Sequence, residues 1–110
     1  MSDMTHKLDL STYGALIFTG RPNGERVREK LHVEEYSSSE EDFLVIVPDE
    51  TKTLNSSFLL GFLGDEIVKC KTKESFLDKF KFKMPPRFYK QLDTAIRRAL
   101  FKLNHDARLV

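Results

Sequence analysis

Tryptophan is absent from this chain of 110 residues, and cysteine occurs once, as Cys70. A single thiol excludes an intramolecular disulfide framework and any zinc cluster built on cysteines, and it suits a reducing compartment. An excess of one charge sign is also missing. Eighteen basic and 17 acidic side chains leave a formal net charge of +1, so no overall field draws the chain to nucleic acid or an anionic membrane. No apolar run approaches a membrane span, and Met1 to His6 carries no signal core, which together lead to the expectation of a cytoplasmic protein without membrane contact.

What is present is an ordinary globular composition, 40% hydrophobic and 32% charged with nine Phe, which is not that of a disordered segment. The length suits one domain, expected over residues 1–110 with a core from about Leu8 to Leu103.

Leu8-Asp9-Leu10 and Ala15 to Phe18 are short apolar pieces with Ser11-Thr12-Tyr13-Gly14 between them, a pattern that predicts an N-terminal hairpin. Glu25 to Leu31 reads as a short, largely solvated helix with Asn23 near its cap. After the polar, acidic connection Ser37 to Asp42, the continuous run Phe43 to Val47 predicts a central strand buried on both faces.

Beyond the loop Pro48 to Asn55, the residues Phe58, Leu59, Phe62, Leu63 and Ile67 recur at helical spacing. Gly61 and Gly64 in this helix predict close packing on a sheet. Glu74 to Phe80 gives a further helical turn, Phe80-Lys81-Phe82-Lys83 alternates like an edge strand, and Pro85-Pro86 opens a last helix with Phe88, Leu92, Ala95, Ile96, Ala99 and Leu103 on one face. The predicted fold is α/β, a mixed sheet of about four strands in the order β-β-α-β-α-β-α with helices packed against it.

The chemistry-bearing residues are few. Asn55-Ser56-Ser57-Phe58 places paired hydroxyls at a helix start, where unpaired N–H groups and partial positive charge suit a capping side chain, an anion or a phosphoserine. In the simplest reading Ser56 caps the helix and Phe58 belongs to the core. Gly20 to Gly24 lacks the Gly-Lys-Ser/Thr ending of a phosphate loop, although Arg21 there is available to a partner or an anion. His6, His32 and His105 have no metal-ligand spacing, and Ser57, His32 and Asp49 show no arrangement that predicts a hydrolytic triad. The basic residues Arg87, Lys90, Arg97, Arg98, Lys102 and Arg108 line the outer side of the last helix without the aromatic interleaving of a nucleic-acid surface.

The succession of Gly24 to Leu31 after a strand, a strand ending at Val47, Asn55-Ser56-Ser57-Phe58 opening a helix with Gly61 and Gly64, then Phe76 to Phe82 and a closing helix resembles the STAS-like domains related to bacterial anti-sigma factor antagonists. Ser56-Ser57 is similar to the Asp-Ser-Ser-Gly segment of those antagonists, with Asn55 and Phe58 in place of its acidic residue and glycine. The resemblance implies a single STAS-like domain without enzymatic activity, cofactor or metal. It implies a protein-binding module of the partner-switching type, with a GHKL-type ATPase kinase as partner and a serine at this helix start as the phosphorylated switch. Ser56 and Ser57 are then the regulatory positions, with Asn55, Phe58, Asp49 and Arg21 around them. The competing expectation is a small inhibitor protein, for instance phage-encoded, that blocks a nucleic-acid enzyme or a host defence complex.

Overall fold

The structure, a computed structural model, describes residues 5–36 and 41–108, with side chains as far as residue 102. The serines of the expected acidic connection, with Glu40, and the side chains of Leu103, His105 and Arg108 lie outside the described residues.

The chain runs through β1 (Thr5–Asp9), a 3-10 turn (Leu10–Tyr13), β2 (Ile17–Phe18), α1 (Arg21–Lys30), α2 (Val33–Tyr36) and β3 (Asp42–Ile46). It continues through β4 (Thr53–Leu54), α3 (Ser56–Cys70), α4 (Lys73–Lys79), β5 (Phe80–Lys83), a second 3-10 turn (Pro86–Phe88) and α5 (Tyr89–Arg108). The α/β class stands, while the strand arrangement differs from the mixed four-stranded sheet that the apolar pattern predicts. β1, β3 and β5 form one sheet in that order, β2 and β4 form a separate ribbon, and every pairing is parallel.

The predicted hairpin is absent for a local reason. Asp9 caps the 3-10 turn by accepting from the Ser11 amide at 2.9 Å and its hydroxyl at 2.6 Å, so the polar residues carry the chain onward instead of reversing it. The Leu16 carbonyl then accepts from the Lys52 amide at 2.7 Å, and the Phe18 carbonyl from Asn55 at 3.1 Å. Those bonds use a segment that reads as loop in the sequence. They make it β4.

Sheet order that follows chain order, with crossovers of one hand, places the connecting helices on a single face. Burial agrees. Leu8, Phe43, Val45, Val47 and Phe80 are buried, whereas Leu44 and Ile46 of the central strand are only half-buried. Register sets Lys7 and Lys81 on either side of Leu44, and Asp9 and Lys83 on either side of Ile46. β3 is therefore covered on one face, not on the two that its unbroken apolar run suggests.

The covered face carries stacked rings, Phe43 on Phe80 with centroids 4.5 Å apart and Phe76 on Phe80 at 4.8 Å. Above them α3 is the central helix, burying Phe58, Leu59, Leu60, Phe62, Leu63 and Ile67 between α1 and α5.

Gly24 and Gly61 meet where α1 crosses α3. A Cβ on Gly24 would lie 2.1 Å from the Phe58 carbonyl oxygen, and one on Gly61 2.1 Å from that of Arg21. The close approach expected of α3 is thus to another helix, and α1, exposed over most of its length as its pattern predicts, is packed through Gly24 and Val27. Its N-cap is Gly20, at φ +89°, with Asn23 inside the first turn. Arg28 closes the same crossing by donating to Glu66 at 2.7 Å and to the Phe62 carbonyl at 3.3 Å, with Glu66 only 2% exposed. No helix among the described residues is long and apolar enough to cross a membrane.

Candidate functional site

The start of α3 is built by Asn55. Its extended backbone leaves the side-chain oxygen free to accept from the Phe58 amide at 2.9 Å, and the same oxygen accepts from the Gly20 amide at 3.3 Å. One carboxamide thereby caps α3 and ties it to the entrance of α1. The capping role that the simplest reading gives to Ser56 belongs to Asn55.

Released from capping, Ser56 occupies the first helical position, half-buried, and its hydroxyl accepts from the Arg98 guanidinium of α5 at 3.2 Å. Ser57 is half-buried beside it. Phe58 is 1% exposed, its ring packed on Phe18 at 5.4 Å and Phe62 at 5.8 Å, so its side chain is a core element and not a flanking contact. Arg21 is exposed at the first position of α1.

Asp49 is exposed in the turn leaving β3, which the Thr51 amide closes on the Pro48 carbonyl at 3.1 Å. That turn is held from elsewhere: Arg87 donates to the Thr51 carbonyl. The structure thus joins Asn55, Ser56 and Arg21 through the contact of α1, α3 and α5, while Asp49 belongs to another set of contacts.

A groove of about 550 Å³ continues from this junction between α3 and α5. Arg21, Arg98 and Lys102 stand on its walls, and Leu60, Gly64, Val68 and Ala99 line it between them. The sequence pattern marks Arg98 and Lys102 only as parts of a basic helix side. Their spacing of four, bracketing the small Ala99 next to the apolar stripe, is the signal that sets them at a helix–helix boundary. Arg97, one residue away, is instead engaged with Asp93 at 3.1 Å.

Burial pushes the Cys70 thiol up, and the neighbouring Glu66 charge adds to that, so this cysteine is a poor nucleophile. The Ser11 hydroxyl, followed by the Ser11 amide, holds the Asp9 carboxyl below its usual range. Among the described residues no group of three or more His, Cys, Asp or Glu side chains is placed to hold a metal ion. The chain matches no family model, no curated protein and no solved structure.

Proposed function

We propose that this chain is a non-enzymatic, cytoplasmic protein-binding module of the partner-switching kind, a STAS-like α/β domain whose contact surface is the start of α3. Ser56 and Ser57 are the regulatory positions and Arg21 and Arg98 the cationic neighbours. A kinase of the GHKL ATPase class fits as the partner that modifies and binds it.

The observation that supports this most is the Ser56 hydroxyl held 3.2 Å from the Arg98 guanidinium at the first turn of a 15-residue helix. A phosphoryl group there would carry about −1.5 to −2 charges into a place already positive from the helix end and the arginine. Such a group is accommodated by the fold and changes mainly the outer surface. Asn55, not a serine, holds the cap, so modifying the hydroxyls leaves the helix start intact.

Affinity capture from the native cell followed by mass spectrometry tests this reading, comparing the native chain with Ser56→Ala, Ser57→Ala and the two Asp variants. A phosphoserine at position 56 or 57 is expected, together with a partner whose retention moves in opposite directions for Ala and Asp. Melting temperatures should stay close to that of the native chain. Equal retention of all the variants would remove the switch.

A further inference from the structure

We infer that the groove between α3 and α5 seats an acidic, amphipathic segment of the protein partner, its carboxylates on Arg21, Arg98 and Lys102 and its apolar side chains on Leu60, Gly64, Val68 and Ala99. This rests on the start of α3 being a contact surface and extends that surface along the helix.

Three observations carry it. The first is charge. Arg21, Arg98 and Lys102, with Lys69 that also reaches Glu66, come from three helices onto one groove whose lining among the described residues contains a single carboxylate, Asp65. Among the described residues none of Arg21, Arg98 and Lys102 forms an ion pair with a carboxylate. Arg98 donates to a neutral hydroxyl. In a chain whose net charge is only +1, this is a local concentration of positive charge that a complementary acidic surface would satisfy.

The second is the floor. Leu60, Gly64 and Ala99, nearly buried, and the half-buried Val68 make a narrow apolar floor between the charged walls, which suits interspersed carboxylate and aliphatic groups better than a phosphate backbone.

The third is Gly64. Added Cβ atoms at Gly24 and Gly61 would run into backbone at 2.1 Å, whereas one at Gly64 would meet only Leu60, at 3.7 and 3.9 Å. Nothing in the fold requires glycine at this position, even though it weakens the helix. Its missing side chain leaves a notch in the groove with room for a methyl group.

The test is selection from a displayed random-peptide library on the purified chain, with the Gly64→Leu variant and the Arg98→Glu/Lys102→Glu variant run in parallel. The expected result is enrichment of peptides with net negative charge and apolar residues at helical spacing. A synthetic peptide of the enriched sequence should bind each variant at least about tenfold more weakly, and the native chain more weakly as salt rises. Arg98 and Lys102 are exposed, so the charge-reversal variant stays folded and keeps the test open should Gly64→Leu prove unstable. No acidic enrichment, equal binding to the variants, or preference for a single-stranded oligonucleotide over the peptides would overturn the inference. Serine variants that fail to switch a partner while acidic peptides still bind would remove the regulatory reading and leave this one in place.

Discussion

Replacing Gly61 by alanine adds one methyl group to the middle of α3, and in an isolated helix it would stabilise by about 1 kcal/mol. Here the new carbon would stand 2.1 Å from the Arg21 carbonyl oxygen and 2.9 Å from the Glu25 amide nitrogen. Ordinary non-bonded contacts begin near 3.5 Å, so α1 and α3 must part by roughly 1 Å or more. Both obstructing atoms are backbone, which has no rotamer to give.

Parting the helices loosens Val27 in the core and stretches the Arg28 to Glu66 contact. Overpacking of this sort costs about 1–3 kcal/mol and sometimes more. With immovable walls the net loss should fall near 2–3 kcal/mol for Gly61→Ala and equally for Gly24→Ala. In a domain of this size that lowers the melting temperature by roughly 10–20 °C. The double variant needs the same widening once, so its loss should fall well short of the sum. Gly64→Ala is the internal control: its Cβ has room, and the expected change is a gain of up to about 1 kcal/mol. Thermal melts followed by circular dichroism decide the matter. If Gly61→Ala melts at or above the native chain, or Gly64→Ala is the worse of the two, the crossing does not depend on bare backbone contact.

Glu66→Leu strands the Arg28 guanidinium in a buried setting and should cost about 3–5 kcal/mol, while adding Arg28→Met should restore most of it; urea titration of the three chains checks this, and no recovery in the double variant would contradict it. Asn55→Ala should cost about 1 kcal/mol through the lost cap, with a further loss from the unsatisfied Gly20 amide, and more than Ser56→Ala, which removes one exposed hydrogen bond. A urea midpoint lower for Ser56→Ala than for Asn55→Ala would return the cap to the serine.

Where one period dominated, the sequence was legible. α3 and α5 follow from apolar residues three and four apart, and β5 from the alternation of Phe and Lys over four residues. The partners of each strand were not legible, because apolar alternation reports that a strand is half-buried and says nothing of what lies beside it. Two apolar pieces separated by four polar residues suggest a hairpin until Asp9 is seen to cap the turn between them. Glu66 was hidden for a related reason: a carboxylate within an apolar stripe looks solvated unless Arg28, on another helix, is known to face it. At the candidate site the hydroxyls and Arg21 were visible as residue types near a helix start. Arg98, which meets Ser56 from 42 positions away, was not.

The wiring of the sheet also sets when it can form. Thr5 finds its partner at Asp42, Phe43 finds its own at Phe80 and Ile17 at Thr53, so among the described residues no strand has a neighbour nearby in the chain. Loop-closure entropy must be met before any ladder bond is gained, the circumstance that slows folding in domains of high contact order. A nascent chain leaving the ribosome therefore holds β1 unpaired until β3 has emerged, and completes the sheet only once the last of its strands is made.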